Sequence, residues 1–78
     1  MANFLPITDL SNNNFLIDLE NISYIEFWTN ERNKKIIATI YMKNTQNTVN
    51  IHVKSRDSFL EILETLVPVL YIRDLNTI

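Results

Sequence analysis

Apolar and polar positions alternate most regularly over residues 48–54, "TVNIHVK", with Val49, Ile51 and Val53 on one side and Thr48, Asn50, His52 and Lys54 on the other. Successive side chains of an extended chain point to opposite faces, so this spacing predicts a half-buried strand. Residues 36–43, "IIATIYMK", alternate less cleanly, and "NTQN" between the two runs supplies a hairpin turn. Folding about that turn sets Met42 opposite Val49, Ile40 opposite Ile51 and Ala38 opposite Val53. The outer face then pairs Tyr41 with Asn50, Thr39 with His52 and Ile37 with Lys54. Nearer the start, residues 4–8 predict a short strand that Pro6 confines to a sheet edge. Residues 15–19, "FLIDL", place Phe15, Ile17 and Leu19 on one face, and "ENI" turns the chain into the next strand.

That next strand, "SYIEFWTN" at 23–30, breaks the two-faced rule, because Tyr24, Ile25, Phe27 and Trp28 offer large side chains to both sides. Pairing it with residues 36–42 across the charged loop "NERNKK" resolves the assignment. With Ala38 and Ile40 facing the core, cross-strand parity turns Ile25 and Phe27 inward. Tyr24, Glu26 and Trp28 then lie beside Ile37, Thr39 and Tyr41 on the opposite face. The alternative register would bury Glu26 against the core with no partner in view.

After the last strand, Ser55 is placed as a helix N-cap with Asp57 in the first turn. Phe59, Ile62, Leu63 and Leu66 recur at helical spacing, with Leu60 and Val67 on the shoulders and Asp57, Glu61, Glu64 and Thr65 opposite. Pro68 ends or kinks this helix. The pattern predicts one α+β domain over residues 1–78, an antiparallel sheet of four to five strands with one C-terminal amphipathic helix packed on one face. The tail at 69–78 is apolar enough to need a docking site, on the domain or on a partner, with Val69, Leu70, Tyr71 and Ile72 as its interface.

Composition narrows the chemistry. The chain has 78 residues, and a domain of that length buries only roughly 60% of its unfolded surface. With no cysteine to staple it and 46% hydrophobic residues to hide, association with a second copy is the expected source of extra stability. Glycine is absent altogether, which removes phosphate-cradling loops, the dinucleotide fingerprint, the calcium-loop glycine and the nucleophile elbow together. Asparagine, which tolerates left-handed backbone, takes over the turns in "SNNN" and "NTQN". Its abundance with isoleucine fits an AT-rich genome.

Net charge is −2, so no basic excess marks a nucleic-acid binder and no strong acidity marks a DNA mimic. The start "MANFLPITDL" lacks the positive region and apolar run of a secretory signal, and the longest apolar run, "LVPVLYI", is far too short to span a bilayer. A soluble, cytoplasmic protein is expected, and the sequon Asn21-Ile22-Ser23 is then a chance match.

Candidate catalytic residues are sparse. His52 is the single histidine, mid-strand on the outer face beside Thr39 and Lys54, neither of which completes a triad. One histidine and no cysteine leave only carboxylates for a metal, so no cofactor is expected. Glu61 and Glu64 read as a solvated helix stripe, and Arg32, Lys34 and Lys35 as a solubilising loop that protects an edge. What remains is the outer face, where Tyr24, Glu26, Trp28, Ile37, Thr39, Tyr41 and His52 form a candidate partner-binding surface.

Taken in order, a strand, "NNNFLIDLENISYIEF", a charged hairpin, an alternating strand and "SRDSFLEILETL" resemble the small FlbD-like proteins of bacterial flagellar operons, with related orphan proteins in bacteria and phages. Residues 15–19, 22–26, 49–53 and 55–66 stand in the places of that pattern. The usual proline after the second strand and glycine in the hairpin are missing, and the tail from Pro68 has no counterpart. The resemblance implies no catalytic residues. "ISYIEF" also resembles the start of a LytTR-type DNA-binding domain, which is longer and basic where it meets DNA.

The expected function is therefore non-enzymatic protein binding, as a homodimer or as a small bacterial or phage adaptor, regulator or inhibitor. The competing class is a nucleic-acid or nucleotide-binding regulator that uses the aromatic face and basic loops. The charge balance predicts no affinity for generic DNA or RNA tighter than about 10 μM at physiological salt. Fluorescence anisotropy checks this, and a salt-sensitive sub-micromolar shift contradicts it.

Overall fold

Residues 4–43, 45–63 and 71–77 are described by a computed structural model of the chain. Among them the order is β1 (Phe4–Thr8), β2 (Asn14–Asp18), a 3-10 turn (Leu19–Asn21), β3 (Ile22–Asn30), β4 (Ile36–Met42), β5 (Thr48–Val53), α1 (Arg56–Ile62) and β6 (Tyr71–Thr77). The α+β class stands, but the strands form two sheets in place of one. β1 and β2 make an antiparallel hairpin, and the others make a four-stranded sheet in the order β5-β4-β3-β6. That sheet is mixed, because β6 runs parallel to β3.

The second sheet has a physical cause. The inner face of the sheet carries Ile25, Phe27, Ala38, Ile40, Ile51 and Val53, all buried. A helix of seven residues is about 10 Å long and cannot cover four strands. The β1–β2 hairpin closes the remainder, contributing Ile17 to the core with Leu5, Ile7 and Phe15 packed against it. β6 follows α1 in the chain and lies parallel to β3, a pairing that needs a crossover connection in place of a tight hairpin. The helix is thus not the last element. Each of Phe27, Ile25, Ile40, Ile51 and Leu63 is under 2% exposed, and burying a side chain of this size stabilises by roughly 1.5–3 kcal/mol.

The β4–β5 register differs from expectation by two residues. Ile40 faces Val49, Ala38 faces Ile51 and Ile36 faces Val53, while Ile37 faces His52. A shift of two keeps every side chain on its predicted face, which is why the alternation alone could not detect it. On β3, a bulge between Ile22 and Tyr24 lets Ile22 enter the core while Tyr24 turns outward. The three-residue spacing of Ile22 and Ile25 is its signature in the sequence.

Ser55 caps α1 as expected, its hydroxyl accepting from the Ser58 N–H at 3.1 Å. Phe59 and Leu63, four residues apart, point into the core, but Ile62 is 51% exposed. The helix turns Phe59 and Leu63 toward the sheet, and Ile62 lies to one side of that line. Leu66, Val67 and Pro68, with Glu64 and Thr65, lie outside the described residues, as do Val69 and Leu70 of the expected tail interface. Tyr71 and Ile72 belong to β6, where Ile72 packs against the core.

One carboxylate that the sequence left unremarked organises the loop after β1. Asp9 is 8% exposed; its Oδ1 accepts from the N–H groups of Ser11 and Asn13 at 2.9 Å, and its Oδ2 from the His52 N–H at 3.2 Å. The Leu10 N–H donates to the His52 carbonyl at 3.0 Å, so the loop covers the outward-facing backbone of β5 at that point. Asn12 makes the turn at φ 63° and Lys34 makes another at φ 61°, positions that glycine would usually fill.

Burial raises the Asp9 carboxyl, but the N–H groups of Asn13, His52 and Ser11 outweigh it and hold it below its ordinary 3.8. The charged form therefore stabilises the fold above that value, and the contribution disappears as pH falls through the lowered one. Asp9→Asn should lower the thermal midpoint at neutral pH by several degrees and flatten the loss of stability on acidification, as circular dichroism melts would record. Identical melts and acid dependence for the two proteins contradict this role.

Candidate functional site: the outer face of the four-stranded sheet

The hairpin and helix both lie on the inner face, which leaves the other side of the four strands without a layer among the described residues. Strand register arranges that outer face in rows. Tyr71, Tyr24, Tyr41 and Thr48 form one; Arg73, Glu26, Thr39 and Asn50 the next; Leu75, Trp28, Ile37 and His52 the third. Tyr24, Glu26, Trp28, Ile37, Thr39, Tyr41 and His52 are therefore brought together on one surface. They do not make one continuous apolar patch, because a polar row runs between two apolar ones.

The polar row is largely closed on itself. Glu26 points away from the helix, yet it is 5% exposed, so the face expected to solvate it instead buries it. The Tyr41 hydroxyl donates to Glu26 Oε1 at 2.6 Å, and Arg73 Nη1 lies 3.5 Å from Oε2. The short hydrogen bond to a charged acceptor is the stronger of the two. Arg73 is mostly in solvent and its contact is the longer one, so it supports the buried carboxylate only from the edge. Thr39, 7% exposed, donates from its hydroxyl to Asn50 Oδ1 at 2.8 Å. Glu26 and Thr39 are thus supports beneath the surface, not groups a partner could reach.

The aromatic row is also interlocked. Tyr24 and Tyr41 stack with centroids 4.2 Å apart and planes 9° from parallel, and Tyr71 meets Tyr24 edge-on at 6.2 Å. Tyr71 remains 59% exposed and Trp28 36%, while Ile37 and Leu75 are half-buried. Ser23, Tyr24, Tyr71 and Arg73 surround a shallow depression at one end. Sequence reasoning left Arg73 and Leu75 off this surface. Their signal was the alternation of Tyr71, Arg73 and Leu75 against Ile72, Asp74 and Asn76, obscured because only Ile72 of the inner set is apolar.

His52 sits at the margin, its Nδ1 3.3 Å from the Ser11 hydroxyl. Asp9 is close by, so a serine–histidine–aspartate relay suggests itself. Its two carboxylate oxygens, however, accept from backbone N–H groups, including that of His52, and not from the imidazole. No carboxylate among the described residues is bonded to the ring to orient it as a general base requires. Among the described residues no three His, Cys, Asp or Glu side chains converge as a metal site, and no helix is long and apolar enough to cross a membrane. Comparison with protein families, curated proteins and solved structures returns no match to this chain.

The hydrogen bond to Glu26, followed by burial and the charge of Glu26, pushes the Tyr41 phenol up to about 12. Its folded value lies above the ordinary 10, so the stabilisation is complete below pH 10 and is lost as pH rises through 12. Following tyrosinate absorbance should reveal one step near pH 12 that moves down toward 10 in Glu26→Gln. An unmoved step would mean that Glu26 does not hold the phenol.

Proposed function

We propose that this chain is a small non-enzymatic protein-binding module that associates with a second copy through the outer face of its four-stranded sheet. The observation that carries this reading is the combination of exposed Trp28 and Tyr71 with a polar row whose needs are met internally. Covering a polar surface leaves unpaired groups, which is costly; covering this one leaves chiefly Arg73, Asn50 and His52 to be matched. Aromatic side chains with polar tips are also the anchors that interfaces favour.

Binding of nucleic acid remains the competing reading, favoured by exposed Tyr71 next to Arg73. Against it, Tyr24 and Tyr41 already spend a ring face on each other, so fewer faces are free to stack bases. A regulator or inhibitor that docks a different protein on this face would use the same anchors.

Light scattering with circular dichroism tests the proposal on wild type and Trp28→Glu. The expected result is a wild-type dimer and a folded, monomeric variant, with a loss of ~2 kcal/mol or more of association free energy if Trp28 is an anchor. A monomeric wild type sinks the self-association reading. A variant that unfolds would assign Trp28 to the fold and not to an interface.

A further inference from the structure

On the other side of the sheet, a cavity of about 150 Å³ opens where the end of β1, β5 and α1 meet. Ile7, Leu10, Val53, Phe59 and Ile62 line it, and two of them, Leu10 at 59% and Ile62 at 51% exposed, form its lips. Space of that size between aliphatic and aromatic side chains accommodates one benzene ring. The opening is braced, because Asp9 and the Leu10 N–H tie the loop to the backbone of His52. A site held by such bonds needs little ordering when it is filled.

The polar groups at this cavity divide sharply. Asp9 is occupied by backbone donors, the Ser58 hydroxyl donates to the Ser55 carbonyl, and the His52 ring is in contact with Ser11. Lys54, exposed at the rim, takes part in none of the ion pairs among the described residues. We infer that this seam binds a small carboxylate with an apolar body the size of a phenyl ring, the ring between the lips and the carboxylate on the Lys54 ammonium. The Asp9 charge at this cavity is met by three backbone N–H donors, whereas the Lys54 charge is met by no ion pair among the described residues. His52 borders both this cavity and the outer sheet face, but Trp28, the anchor proposed for self-association, is not among the lining residues, so the two proposals are tested by different substitutions.

The experiment is an amide NMR titration of the full chain with phenylacetate and with its uncharged analogue phenylethanol. Wild type and Trp28→Glu should both show saturable shifts at Leu10, Val53 and Ile62, with a phenylacetate dissociation constant of roughly millimolar or below. Phenylethanol should bind about tenfold more weakly, the scale of one charge-assisted contact. Lys54→Met should erase that difference, and Ile62→Glu, which sets a like charge on the lip, should weaken phenylacetate most. Both substitutions are at exposed positions, and the dispersion of the free spectrum verifies that each variant is folded. No saturable shift at the seam, equal binding of the two probes to wild type, or undiminished phenylacetate binding in Lys54→Met each overturns the inference.

Discussion

The interaction on which the other features depend is the burial of the sheet's inner face. Ile25, Phe27, Ala38, Ile40 and Ile51 form a surface too wide for the seven-residue helix that crosses it. Phe59 meets Phe27 edge-on at 6.0 Å, so the helix secures one part of that surface and leaves the rest to the hairpin. The hairpin must then be held down at its far end. Asp9 does so by bonding the loop to β5, and the braced seam between hairpin, strand and helix results directly from it.

The outer face is constrained differently. A carboxylate 5% exposed is tolerable only with donors aimed at it, and Glu26 has the Tyr41 hydroxyl at 2.6 Å. Tyr41 is in turn fixed by its stack on Tyr24, which Tyr71 of β6 abuts. Positioning of Glu26 therefore draws on three strands, and the surface that contains it is ordered without a partner. Such preorganisation suits an interface, whose affinity is eroded by whatever must be ordered on binding.

Much of this was legible in the residues. Alternation assigned the inward and outward faces of β3, β4 and β5, and the N-cap Ser55 located the start of α1. Three things were not legible, each for a physical reason. A two-residue slip conserves parity, so the hairpin register was invisible to alternation. β6 places Asp74 and Asn76 after Ile72 on its inner side, so it lacks the apolar stripe of a strand. The burial of Glu26 arises from neighbours on adjacent strands, including Arg73 some 47 residues away, which local spacing does not encode. Asp9 left a faint trace, an aspartate ahead of "LSNNN", typical of a side chain that accepts from the backbone of its own loop.

β6 carries a consequence for how sheets of this chain can grow. It is the outermost strand on its side, and its far edge has no strand beside it among the described residues. On the inner side of that strand Asp74 is held by Arg56 at 2.8 Å, with both side chains partly in water. A further strand laid along the edge would strip that water from an ion pair at the margin of the core, and charges turned inward on an edge are a known deterrent to such addition. Lateral extension, the geometry that propagates into fibres, is thereby discouraged. Contact across the flat of the sheet meets no such obstacle, and a two-fold contact of that kind closes on itself.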